Sequence, residues 1–207
     1  MVIEVPVKGY FAENSFFYID DATNHGFLID PGAQAKELLG LIREQGWIIE
    51  KILLTHGHFD HMGAVNELRR ELGVPVLAHQ RSDEYLKDAQ KNLSALCGPA
   101  ILVEDVDYLD DGDVIRLEAD PKVCLQVVYA PGHTTDSVLY YSERDKVAFV
   151  GDLIFKGSLG TWQYPGGNRE DLLKSVMNKV FTLPDDTVLC SGHSEQTTAG
   201  IEKQRYL

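Results

Sequence analysis

The chain has 207 residues, 44% of them hydrophobic, and a formal net charge of −13 with its histidines neutral. That length fits one domain burying roughly 70% of its unfolded surface, so a metal is not needed merely to hold it together. The acidic balance repels phosphate backbones and excludes nucleic acid as an expected partner. No apolar run approaches the roughly 20 residues that cross a bilayer. The first residues, Met1-Val2-Ile3-Glu4-Val5-Pro6, lack the basic region and cleavage site of a secretory signal. The expectation is a cytoplasmic protein with no membrane partner. Its three cysteines, Cys97, Cys124 and Cys190, form no C-x-x-C pair, so neither a disulfide framework nor a thiolate metal site is expected. Cys190 reads as a buried strand residue.

In chain order, Ser15–Ile19 and Gly26–Ile29 flank the turn Asp20–Asn24 as a hairpin, which Asp30-Pro31-Gly32 ends. Leu38, Leu41 and Ile42 recur at helical spacing before Gly46. The strand Ile52–Leu54 leads into a histidine-rich loop. After Gly63 a second helix carries Val65, Leu68 and Leu72. A strand over Val74–Ala78 precedes a polar helix from Ser82 to about Leu93. The acidic stretch from Glu104 to Asp113 reads as a solvated loop turning at Asp111-Gly112. Strands follow at Val114–Leu117, Val123–Tyr129, Ser137–Tyr141 and Lys146–Val150. A glycine-rich loop runs from Gly157 to Gly167. Asn168 then caps an amphipathic helix carrying Leu172, Leu173, Val176, Met177 and Val180. Thr187–Cys190 is the last strand expected, and a short polar helix closes the chain. Each half supplies strands and then helices, a pattern that two packed mixed sheets with helices outside satisfy.

The loop after the strand Ile52–Leu54 reads Thr55-His56-Gly57-His58-Phe59-Asp60-His61. Three imidazoles and a carboxylate this dense fit neither strand nor helix periodicity and need an irregular loop. Those donors suit zinc, iron or manganese. His133 in Pro131-Gly132-His133-Thr134, Asp152 in Gly151-Asp152 and His193 in Ser191-Gly192-His193 also follow strand ends. One tetrahedral ion needs fewer donors than this, so two divalent ions are implied, zinc first among the candidates. A sensible division gives His56, His58 and His133 to one ion and Asp60, His61 and His193 to the other, with Asp152 bridging. Two such ions hold a water and lower its pKa from 15.7 towards about 7. The hydroxide this yields suits hydrolysis of an activated acyl compound, with Asp60 also orienting the nucleophile. His25 reads as a turn residue, and His79 as a possible neighbour of the ligands.

This pattern resembles the metallo-β-lactamase superfamily and, within it, the glyoxalase II-like hydrolases of the short, single-domain bacterial type. The motifs at Thr55–His61, Pro131–Thr134, Gly151-Asp152 and Ser191–His193 match in order and spacing. The resemblance implies an α/β, four-layer αββα sandwich of two mixed β-sheets. It also implies one metallo-hydrolase domain over 1–207, without the C-terminal helical domain that holds glutathione in full-length glyoxalase II. The bridging Asp152 resembles the glyoxalase II-like branch rather than true β-lactamases, and His58 replaces the Glu of the flavodiiron H-x-E motif. Three departures are visible. The chain ends soon after His193, Thr161 stands where an Arg is usual, and Thr135-Asp136 and Ser194 replace Pro-Gly and Gly.

The function expected is therefore metal-dependent hydrolysis of a small-molecule thioester, S-lactoylglutathione-like. Phe155, Lys156, Trp162 and Tyr164 are expected to line the pocket, with Lys156 meeting a substrate carboxylate. The alternatives are an iron-dependent persulfide dioxygenase, a lactonase or β-lactamase-like hydrolase, and a non-enzymatic metal-binding module.

Overall fold

The computed structural model describes residues 1–206. One sheet holds β1 (Val2–Lys8), β2 (Ala12–Ile19), β3 (His25–Ile29), β4 (Ile48–Leu53), β5 (Val76–His79) and β6 (Asp107–Leu109), hydrogen-bonded in that order. Its first three strands pair antiparallel and β3 to β6 pair parallel. The chain then forms β7 (Val114–Arg116), β8 (Cys124–Tyr129), β9 (Val138–Ser142) and β10 (Val147–Gly151). A small hairpin of β11 (Ile154–Phe155) and β12 (Ser158–Leu159) precedes β13 (Val188–Ser191) and β14 (Thr197–Thr198). The second sheet runs β14-β13-β10-β9-β8-β7, with β10 and β13 parallel and its other pairs antiparallel. The helices are α1 (Ala35–Gln45), α2 (Phe59–Met62), α3 (Val65–Leu72), α4 (Asp83–Leu86), α5 (Ser94–Cys97), α6 (Arg169–Ser175) and α7 (Ala199–Tyr206). None is long and apolar enough to cross a membrane.

The period-two alternation of a strand explains the layering. In β2, Phe16 and Tyr18 enter the cluster between the sheets, while Phe17 and Ile19 join the cluster under α1, α2 and α3. In β10, Val147 and Phe149 face the first sheet, while Ala148 and Val150 meet Leu172, Val176 and Val180 of the α6 segment. Both faces of these strands are covered, so they read as continuous apolar runs rather than alternating ones. Each large side chain fully buried this way stabilises the fold by about 1.5–3 kcal/mol. The result is the αββα sandwich. Cys190 is buried in the middle layer, and burial pushes its thiol up to about 12.

Several expectations shift. β1 is absent from the expected elements; it holds Pro6, and as an edge strand it tolerates a residue without an amide hydrogen. β6 lies hidden in the acidic stretch, pairing with β5 along one side only. The helix expected over Ser82 to Leu93 shortens to α4, because Asp88 Oδ1 accepts from the Gln90 and Lys91 amides and turns the chain. The helix after Asn168 widens at Val176–Val180 into a π turn, whose Phe181 amide donates to Val176 O at 2.9 Å. His25 opens β3 and pairs with Glu50 at 2.8 Å. β14 follows the strand expected to be last.

Candidate metal centre

The histidine loop, His133, Asp152 and His193 all leave the ends of β4, β8, β10 and β13 at one rim. Asp30 anchors the first of these. Its backbone sits at φ 48°, a left-handed state that Asp tolerates better than most residues. Its Oδ1 accepts from the Thr55 amide at 2.8 Å and its Oδ2 from the Thr55 hydroxyl at 2.5 Å. His58 is extended, and the single turn of α2 brings Asp60 and His61 back towards the same point. Glycines permit the crowding. Gly151 has φ 50°, and a Cβ on Gly192 would stand 2.5 Å from His61 Cε1 and 2.6 Å from Asp152 Oδ1.

Two groups of donor atoms result. His58 Nδ1 lies 3.1 Å from His56 Nε2 and 3.0 Å from His133 Nε2. Nitrogens that share a tetrahedral ion at about 2.0–2.1 Å stand only slightly farther apart, roughly 3.3 Å. Asp60 Oδ2 lies 3.4 Å from His193 Nε2, and His61 completes that second group. Asp152 joins the two: Oδ1 is 3.4 Å from His61 Nε2, and Oδ2 is 3.4 Å from His193 Nε2 and 3.6 Å from His133 Nε2. All seven residues thus converge; the donor atoms also group as His56, His61 and Asp152, and as Glu13, Asp30 and His61. The outward nitrogens have partners of their own. His61 Nδ1 meets Asp30 Oδ2 at 3.0 Å, His133 Nδ1 donates to Thr161 O at 2.7 Å and His193 Nδ1 donates to Ala12 O at 2.7 Å. Such bonds fix the ring and leave the opposite nitrogen's lone pair facing inward.

The donor set fits a pair of divalent cations. His61 Nε2 and Asp152 Oδ1 are buried, face each other and make no hydrogen bond, a costly state unless a cation satisfies them. Burial, reinforced by the neighbouring imidazoles, holds His56 well below the usual histidine range and His58 down to about 3. These are neutral ligands ready to bind. Burial opposes charge on His61 and His193 too, but Asp152, with Asp30 and Asp60 respectively, outweighs it. His61 is held well above its usual value and His193 at about 10. Asp152 is held well below the carboxylate range: burial works against its charge, and His61 and His193 overcome it.

A cavity of about 290 Å³ opens over this cluster, walled by Phe11, Ala12, Leu93, Phe155, Thr161 and Tyr164. Phe155 and Tyr164 are placed as expected; Lys156 and Trp162 are not. Lys156 is exposed and paired with Glu195, and it does not line the cavity. Trp162 packs against the apolar cluster around α6, with Arg169 over its ring at 5.6 Å. His79 stacks on Tyr129 at 4.4 Å instead of on a ligand. Asp30, Glu13 and Phe11 were missed. Asp30 read only as part of a turn, and Glu13, buried with Oε1 3.8 Å from His61 Nδ1, carries no motif. Phe11 had no signal beyond an aromatic beside Gly9-Tyr10.

Comparison with known proteins agrees with this architecture. The sequence profile of the metallo-beta-lactamase superfamily matches residues 9–193. A probable metallo-hydrolase, YqgX of Bacillus subtilis, is 36% identical over 93% of this chain and 90% of its own. The hydroxyacylglutathione hydrolase GloC of Haemophilus influenzae is 32% identical over 99% of this chain and 96% of its own. The crystal structure of BLEG-1, a B3 metallo-beta-lactamase, superposes with a TM-score of 0.92 at 31% identity, covering 99% of this chain and 97% of that one. With the profile spanning most of its length and the same fold around the rim cluster, the chain belongs to the metallo-β-lactamase superfamily.

Proposed function

We propose that this protein is a dinuclear metal-dependent hydrolase acting on a small thioester of the S-lactoylglutathione type. One observation carries the reading: five imidazoles and two carboxylates converge on the floor of a cavity whose wall is largely apolar. His56, His58, His133, Asp60, His61, His193 and Asp152 would hold a pair of zinc, iron or manganese ions, whose chemistry there would be to acidify a water and polarise the acyl carbonyl. Seven donors exceed what a single iron requires, which favours hydrolysis over persulfide oxidation.

The chain's own residues do the rest. Burial disfavours charge on Asp60, but the His193 hydrogen bond and the His61 charge hold its pKa below the usual value, so it is a carboxylate at neutral pH. Its Oδ2 faces His193 Nε2 at 3.4 Å; Oδ1 is left to orient the attacking water and accept its proton. Tyr164 stands edge-on to His58 with ring centroids 5.7 Å apart, and with Phe11 and Phe155 it shields the acyl group from bulk water. The likeness to GloC supports a thioester substrate. The likeness to BLEG-1 supports a second reading, opening of a lactam or lactone carbonyl with the same residues.

The test is turnover of a lactoyl thioester by protein of verified metal content, beside Asp60→Ala. Wild type is expected to hydrolyse it, and the variant to lose at least 100-fold in kcat while keeping its circular dichroism and melting temperature. Undiminished turnover by the metal-loaded variant would remove Asp60 from the mechanism.

A further inference from the structure

The proposed thioester site has a chemical bias that its floor does not share. Phe11, Ala12, Leu93, Phe155, Thr161 and Tyr164 form its wall, and none of them is cationic. Cations close by in the chain are committed elsewhere. Lys156 Nζ pairs with Glu195, Arg205 Nε lies 3.3 Å from Glu202 Oε2, and Arg169 stands over the Trp162 ring. Negative groups, by contrast, are close. Asp60 and Asp152 lie in the floor, and Asp30 is buried behind His61. Those carboxylates offset most of the charge of any ions held there, and the whole chain adds a net charge of −13.

The cavity is also small. At about 290 Å³ it lies at the lower limit of the roughly 300–1,000 Å³ that ligand pockets usually span. It admits an acyl group, the sulfur and a short arm. A thiol with a carboxylate close to its sulfur gives up hydration at the cavity mouth and meets no positive side chain among the described residues of the wall. An uncharged arm meets the aromatic wall at no such cost and buries apolar surface.

Resting on the thioester reading above, we propose that this cavity selects thioesters by a small acyl group and an uncharged, apolar thiol arm, and discriminates against thiols carrying free carboxylates. The reaction itself is unchanged. Water adds its oxygen to the acyl carbon, the C–S bond breaks, and the products are the carboxylic acid and the free thiol, which takes up a proton.

The experiment compares S-lactoyl-N-acetylcysteine with its ethyl ester on the metal-loaded protein, a pair that differs by one carboxylate and carries no ammonium. Acyl group and sulfur are identical, so intrinsic reactivity is matched. The ester is expected to show at least a tenfold higher kcat/KM. Raising salt should narrow the gap by screening the free carboxylate. Tyr164→Lys, a change at a half-exposed wall position, is expected to shrink the ratio by raising kcat/KM for the uncapped substrate. Equal kcat/KM for the two substrates, or a preference for the free acid, would overturn the selectivity while leaving the thioester reading intact. Failure of metal-loaded wild type to cleave either compound would overturn both. Calorimetric titration with S-propyl-N-acetylcysteine and its ethyl ester gives a readout without turnover: tighter binding of the ester is expected, and tighter binding of the free acid would contradict the proposal.

Discussion

Asp136 packs against Gly57 of the histidine loop, where a Cβ on that glycine would stand 3.3 Å from its Oδ2. Both its carboxylate oxygens are buried without a well-formed hydrogen bond, and burial pushes its pKa up to about 6. An unfolded aspartate ionises near 3.9, so the folded state binds the proton more tightly. The stability this contributes is fully present below about pH 4 and is lost as pH rises through about 6. Asp136→Asn should flatten that slope. In urea titrations of metal-free protein, the change in stability between pH 4.5 and 8 should differ between variant and wild type by about 2 kcal/mol. Identical slopes would contradict the assignment. The legibility of single residues followed their density in the sequence. His56, His58, Asp60 and His61 stand within one short loop and announce a shared purpose. Asp30 and Glu13 support the same cluster from distant positions, and only the fold brings them to it.

The segment from Asn168 to Val180 shows how far an element can be read from local chemistry. The Asn168 side chain accepts from the Glu170 and Asp171 amides at 2.9 and 3.1 Å, as its position before an apolar-periodic run foretold. Asn168→Ala should cost about 1 kcal/mol, with Asn168→Asp retaining most of it, measured by chemical denaturation. Equal stability of all three proteins would show the cap to be idle. The widening at Val176–Val180 was invisible, because a π turn inserts no residue type of its own. Most elements signalled by hydrophobic pattern were found within one or two residues, but β2 and β4 begin three and four residues earlier than expected. Those carried by edge pairing, β1 and β6, were missed: β1 holds Pro6, and β6 lies among acidic neighbours. The missing half of the helix after Ser82 reflects the Asp88 side chain competing with the helical backbone.

At the level of the whole molecule, the sandwich was legible because both sheets are covered on both faces and every ligand segment follows a strand end. What lies above the ligands was legible only in part: Phe155 and Tyr164 were expected there, and Phe11 and Leu93 were not. Phe11 comes from the turn between β1 and β2, and Leu93 from the stretch between α4 and α5. The wall is therefore assembled from segments with no motif in common, and its lack of cations emerges only once Lys156 is seen bound to Glu195. The account depends on one claim, that the rim cluster holds two cations. Elemental analysis of protein purified without chelator, with anomalous scattering to place the metal in crystals, tests it most directly. Two divalent ions per chain are expected, one against His56, His58 and His133 and one against Asp60, His61 and His193, with Asp152 touching both. Metal bound elsewhere, or a cluster that stays empty when zinc, iron or manganese is supplied in excess, would contradict it.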